Sequence, residues 1–271
     1  MNTFARYFIN ESKNNKYRFD RIPRGSQSVY DGEGGALLKE ATTVAERSHE
    51  AIYADQEEWT EIKDPARRRA ARNKYSNKVR PHEEVELYKW ANSNDHLLSN
   101  EEFTEQWIRD GRKGEGENEV YFDEDEQAWY KRNDLGYHST YLEFFHRMAM
   151  HNHLFPDTAV TLIGFVVAKS LTADHVQLQP VFKQGDVVAD RGATPSEVKK
   201  HMKILGYTKI AGAEHDYIND EAGIVVEDLH DENVLVAPDG DLYIVDPVVY
   251  LTDDGKRHRL EAYSELDGTM L

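Results

Sequence analysis

Cysteine is absent from all 271 residues of the chain. That one absence excludes disulfide bridges, thiolate metal sites and cysteine nucleophiles. Positive charge is also scarce: 33 Lys and Arg stand against 50 Asp and Glu, a formal net charge of −17. A surface of that sign repels phosphate backbones and anionic lipid, so neither nucleic acid nor membrane is an expected partner, and a cytoplasmic location is. Long apolar runs are missing too. No stretch approaches the eighteen residues that a membrane-spanning helix needs. The first residues, "MNTFARYFINESKNNKYRFD", hold no apolar core of signal-peptide length. No repeat of solenoid period is visible. What remains is a chain long enough for one large core or two modest ones.

The first 40 or so residues are polar, carry "GEGG" at 32–35, and are expected to form a loosely ordered arm. From about 37 to 110 the signal is helical. "ALLKEATTVAERSHEAIYADQEEWTEIK" and "HEEVELYKWANSN" are rich in helix formers, with Pro65 and Pro81 expected to interrupt them. A third helix is expected in "LSNEEFTEQWIRDG", capped by Ser99 or Asn100 and stopped at Gly111. The segment 66–80 holds Arg67, Arg68, Arg69, Arg72, Lys74, Lys78 and Arg80 without one acid. It reads as a solvated helical face before it reads as a docking site for an acidic partner.

After Gly111 the pattern changes to short β-branched and aromatic runs. "ENEVYF" and "QAWYKRN" form an expected hairpin, followed by a helix over about 138–152. "TAVTLIGFVVAK" and "DHVQLQPVF" read as two more strands, with Val176 and Leu178 alternating with polar residues as in a half-buried strand. His146, His151 and His153 lack a carboxylate at zinc-ligand spacing, and "HNHLFPD" reads as the turn that ends the helix. "TPSE" predicts a helix start, with Thr194 as cap, Pro195 in the first turn and Glu197 closing a capping box. Val198, Met202 and Leu205 then share one face, and Gly206 ends the helix. "HDYIND", a turn at "EAG", and "IVVEDL" follow. The predicted class is α+β with a mainly antiparallel sheet.

The chemistry gathers in "VEDLHDENVLVAPDGDLYIVDP", residues 226–247. "NVLV" and "LYIV" are two short strands joined by the turn "APDGD". A hairpin returns its ends to one place, so Asp228, Asn233 and Asp246 should converge. Carboxylate and amide oxygens of this kind suit a hard cation such as Mg²⁺. A carboxylate that orients a hydroxyl, oxygen ligands for Mg²⁺ and a lysine on phosphates are the parts that phosphoryl transfer needs.

With these residues in place the sequence resembles the protein-kinase-like superfamily, whose motifs run H-R-D-L-x-x-x-N and then D-F-G. The region from about 112, half of the chain, resembles the kinase domains of bacterial and phage polyvalent proteins. "DLH" resembles the aminoglycoside and choline kinase branch. The resemblance implies an ATP- and Mg²⁺-dependent phosphotransferase moving the γ-phosphoryl group to an unknown protein or small-molecule acceptor. By the same resemblance Asp228 is the catalytic residue, His230 approaches the γ-phosphate, and Asn233 and Asp246 hold the metal. Lys131 pairs with the nucleotide phosphates, Glu143 orients Lys131, and Gly114 and Gly116 belong to the phosphate-covering loop. The strand "VQLQPVF" takes the place of the adenine-binding segment, with backbone groups of Gln179 and Val181 toward the base.

Departures are visible. Val226 and Glu227 replace the His and Arg before the catalytic Asp, Pro247 and Val248 replace Phe-Gly, and Glu119 stands at the third loop glycine. Only 25 residues follow Asp246, so a reduced C-terminal lobe is expected. The division expected is a mostly helical extension over 1–110, which would supply the acceptor platform, and a minimal catalytic domain over 111–271. Two rivals stay open: a pseudokinase binding module, and a kinase-fold enzyme that transfers AMP.

Overall fold

The computed structural model describes residues 35–53, 65–99, 118–220 and 223–251. They group into two compact units. One takes in described residues of 30–149 and 159–186; the other takes in 150–158 and described residues from 187 onward. Among the described residues no helix is long and apolar enough to cross a membrane.

Two helices open the first unit, α1 (Gly35–Tyr53) and α2 (Pro65–Ser93). In α1, Leu38, Ala41 and Ala45 recur at spacings of three and four and are fully buried. In α2, among the residues whose side chains are described, Val79, Glu83, Leu87 and Ala91 are fully buried, four residues apart. Contrary to the expected break, α2 runs through Pro81. Pro81 is exposed, and so is Asn77, whose carbonyl loses its partner at the proline, so the unmade bond falls on the solvated side.

The expected hairpin is present as β1 (Asn118–Asp123) and β2 (Ala128–Asn133), antiparallel with Val120 opposite Lys131. Asp123 Oδ1 ties its turn by accepting the N–H groups of Asp125 and Glu126. Helix α3 (Tyr141–Leu154) follows, then strands β3 (Val160–Lys169) and β4 (Val176–Gly185). The sheet order is β1-β2-β4-β3, all antiparallel.

Strand β4 corrects the alternation read from its sequence. Val176 is 64 % exposed, whereas Gln177 and Gln179 are buried beside Leu178. An interior strand has no solvated face here, and its polar side chains are kept by hydrogen bonds. Gln177 accepts from Arg80 at 3.1 Å, and Gln179 donates to the Lys169 carbonyl at 3.0 Å. Phe165 of β3 receives Trp90 from α2 and Phe145 from α3, with ring centroids 6.1 and 6.3 Å away. Gly164 is required beside it, because a Cβ there would lie 2.6 Å from the His96 carbonyl oxygen.

The second unit holds β5 (Arg191–Gly192), α4 (Pro195–Ile204), β6 (Thr208–Lys209), β7 (Tyr217–Asn219), β8 (Ile224–Glu227), β9 (Val234–Val236), β10 (Leu242–Ile244) and β11 (Val248–Leu251). They form two antiparallel sheets, β10-β9-β5 and β11-β8-β7-β6. Helix α4 has the capping box as read, Thr194 and Glu197 satisfying each other's backbone N–H groups. Val198 and Met202 are buried, but Leu205 is 44 % exposed because it is already the C-cap residue and has left the helical face. Gly206, at φ +86°, ends the helix. The turn after α3 is tied to β10 through Thr158, whose hydroxyl donates to the Ile244 carbonyl at 2.5 Å and whose carbonyl meets His151 Nε2 at 2.8 Å.

Candidate active site

Strand β8 delivers the site in the second unit. Val225 and Val226 are fully buried, with β7 on one side and β11 on the other. At Asp228 the strand breaks: its φ is +67°, a left-handed conformation that Asp and Asn tolerate better than other side chains. The chain then makes one tight turn. The His230 carbonyl accepts the N–H groups of Asn233 at 3.1 Å and Val234 at 3.0 Å.

That turn brings Asn233 back onto Asp228. Its Nδ2 donates to the Asp228 carbonyl at 3.0 Å and to Asp228 Oδ2 at 3.1 Å. The amide's remaining polar atom, Oδ1, is an acceptor. His230 Nδ1 accepts the Glu232 N–H at 3.2 Å, which leaves the neutral ring's proton on Nε2, 3.6 Å from Asp228 Oδ1. The β9–β10 hairpin then returns the chain, and the Val245 N–H donates to the Asn233 carbonyl at 3.0 Å. Asp246, the next residue, is exposed beside that bond.

Three supports of this loop were not read from the sequence. Asp216 Oδ1 accepts the Asp228 N–H at 3.4 Å, and the His215 carbonyl accepts the Leu229 N–H at 3.1 Å. The His215 and His230 rings meet nearly edge to face, with centroids 6.1 Å apart. Gly192 of β5 lies so close that an added Cβ would sit 2.3 Å from the Asp231 carbonyl oxygen. Gly192 carries a weak sequence signal, a glycine just ahead of a capped helix; Asp216 carries none, since its partner is a backbone group twelve residues away.

In the first unit, Lys131 is half-buried in the middle of β2, opposite Val120 on β1 and Phe182 on β4. Directly paired residues project from the same face of a sheet. The Phe182 ring packs on Phe144 of α3 at 5.4 Å, so Lys131 leaves the sheet on the side that α3 covers. Glu143, next to Phe144, holds Arg147 at 2.6 Å and accepts the Ser139 N–H at 3.0 Å.

Gln179 and Val181, read as backbone neighbours of the adenine base, lie on β4. Val181 is flanked by Arg132 on β2 and Gly164 on β3, and Gln179 pairs with Val166. Both are fully buried, and β2 pairs with β4 only as far as Val181. Gly114 and Gly116 lie outside the described residues, as does the helix read after Ser99.

Residues 80–253 match the family described as Serine/Threonine/Tyrosine Kinase found in polyvalent proteins. The chain belongs to this family. No curated protein and no solved structure matches it. The kinase match spans Lys131, Glu143, Asp228, His230, Asn233 and Asp246, and it begins at Arg80, inside α2. That start falls where the described basic side chains stop resembling a solvated face. Lys78 is exposed, but Arg80 donates to the carbonyls of Asp134, Leu135 and His138.

Proposed function

We propose that this kinase-family chain transfers the γ-phosphoryl group of ATP, with Mg²⁺, to a hydroxyl on a protein or small-molecule acceptor. The observation that carries the reading is the Asn233 side chain bonded to the Asp228 carboxylate, with Asp246 returned beside Asn233 by the hairpin. Asp228 orients the acceptor hydroxyl and takes its proton as the new P–O bond forms. Its second oxygen, bonded to Asn233, keeps the carboxylate from turning away. His230, whose Nε2 lies 3.6 Å from Asp228 Oδ1, approaches the γ-phosphate. Lys131 pairs with the nucleotide phosphates, and Glu143 belongs to the helix on Lys131's side of the sheet.

The donor set fits a magnesium ion. Asn233 and Asp246 offer hard oxygen atoms, and among the described residues no group of three or more His, Cys, Asp or Glu could cage a metal. Two protein ligands with the rest from phosphates and water is the usual supply for Mg²⁺ in phosphoryl-transfer sites. The bound ion would offset charge on the transferring phosphoryl group and the departing ADP.

Calorimetric titration with ATP, first with Mg²⁺ and then with chelator, tests the proposal. Binding that requires Mg²⁺ is the expected result. Metal-independent binding would point to a pseudokinase, and absence of binding would remove the nucleotide from the function. The mass gained by a modified acceptor separates phosphoryl from AMP transfer.

A further inference from the structure

The segment "RPHEE" at the middle of α2 places three charged side chains on three different elements of the first unit. Arg80 donates to the carbonyls of Asp134, Leu135 and His138, the turn that leads into α3, and to Gln177 Oε1 on β4 at 3.1 Å. Glu84 Oε1 accepts the Leu178 N–H of β4 at 2.8 Å. Glu83 reaches the start of α3. Its Oε2 accepts the Tyr141 N–H at 2.9 Å and its Oε1 the Leu142 N–H at 3.1 Å. Those two groups belong to the first helical turn, where amides lack partners within the helix and the helix dipole favours negative charge. His49 of α1 meets Glu83 Oε1 at 2.5 Å from the other side.

A fully buried carboxylate is costly unless it is bonded on several sides, and Glu83, at 0 % exposure, has three such bonds. Tyr141 closes the circuit. Its backbone N–H goes to Glu83, while its hydroxyl donates to the Leu178 carbonyl at 2.5 Å, and the Leu178 N–H goes to Glu84. One stretch of α2 therefore grips both the helix that carries Glu143 and the strand that pairs with Lys131's strand.

We infer that Arg80, Glu83 and Glu84 are positioning residues, a clamp that sets the helix of Glu143 against the sheet of Lys131. The inference rests on the nucleotide reading given above for Lys131. It assigns α2 a role in the kinase unit itself, as a brace for its phosphate-binding lysine. The clamp touches neither substrate nor reacting atoms, so its effect is on nucleotide affinity and on the order of α3.

The full chain is compared with Glu83→Gln, which keeps size and one acceptor but loses the charge, and with Glu84→Gln, which spares the buried carboxylate. Thr194→Ala, in the other unit, serves as a control of general destabilisation. Amide hydrogen exchange is followed in the peptides covering 139–149 and Val176–Gly185, alongside calorimetry with ATP and Mg²⁺. Glu83→Gln is expected to speed exchange at Tyr141 and Leu142 by about tenfold or more, the scale of one lost charge-assisted hydrogen bond. It is also expected to weaken nucleotide binding by a similar factor, while Thr194→Ala changes neither. Wild-type exchange in both glutamine variants would overturn the clamp, and so would faster exchange in Glu83→Gln with undiminished nucleotide affinity. A parent chain that binds no ATP would overturn the nucleotide reading and, with it, the part of the clamp's role that concerns Lys131. The exchange data would still decide whether Glu83 holds α3.

Discussion

Asp228 combines a carboxylate with a left-handed backbone at φ +67°, and a useful substitution must separate the two. Asparagine tolerates the same backbone region, so Asp228→Asn removes the charge and leaves the turn. On the proposed mechanism it lowers the transfer rate by about 10²–10⁴-fold, the usual contribution of a positioned general base, with ATP affinity nearly intact. Asp246→Asn lowers both, as loss of a metal ligand should. Single-turnover assays paired with calorimetry separate these patterns, and normal transfer by Asp228→Asn would refute the assignment. Gly192 makes a steric rather than a chemical prediction. Its missing Cβ is the gap that Asp231 occupies, and the colliding atom is backbone. Gly192→Ala should cost about 1–3 kcal/mol in urea unfolding, the range for overpacking. A midpoint equal to wild type would mean that the loop shifts freely and that Gly192 does not shape it.

At the scale of elements, local signals and tertiary contacts can be seen competing. The capping box at Thr194 and Glu197 was readable because each group satisfies a neighbour three residues away. Pro81 was misread, since sequence alone does not show which side of α2 is solvated. With Pro81 and Asn77 both exposed, Pro81→Ala can restore the missing backbone bond without a clash. Propensity favours alanine by about 3 kcal/mol in a helix interior, and the stiffer unfolded chain of the proline form opposes this by roughly 0.4–1 kcal/mol. A higher melting temperature for Pro81→Ala is the expected outcome; a lower one would mean that the proline itself is needed for the Arg80–Glu84 contacts. Strand β4 gives the same lesson. Its apparent alternation of apolar and polar residues suggested one wet face, but both glutamines are buried and hydrogen-bonded.

For the whole molecule the informative group is His146. It is buried in the first unit, and burial, with a smaller repulsion from His49, holds its pKa at about 3, below the ordinary 6.5. Glu46 Oε1 lies 3.9 Å from its Nε2, beyond hydrogen-bond length, so the cost of burying charge outweighs that attraction. The folded protein therefore keeps His146 neutral where the unfolded chain protonates it. Its contribution is intact above pH 6.5 and is lost progressively as pH falls from 6.5 toward 3, by up to ~1.4 kcal/mol per pH unit. His146→Gln should flatten the fall in urea midpoint between pH 7 and pH 5. An unchanged slope would assign the acid sensitivity to other groups.

The sequence by itself determined the class of the fold, the β1–β2 and β9–β10 hairpins, the caps of α4 and the Asp228–Asn233–Asp246 spacing. Each of these rests on residues near one another in the chain, where turn geometry and periodicity act directly. Only the tertiary structure decided the rest. Glu83 stands in an apolar stripe with Val79, Leu87 and Ala91, a visible oddity, but its partners are 34, 58 and 59 residues away. The same holds for Arg80, read as part of a solvated basic face and found bonded to a turn 54 to 58 residues on. A buried charge is tolerated only where distant backbone groups converge on it, and no local pattern encodes that convergence.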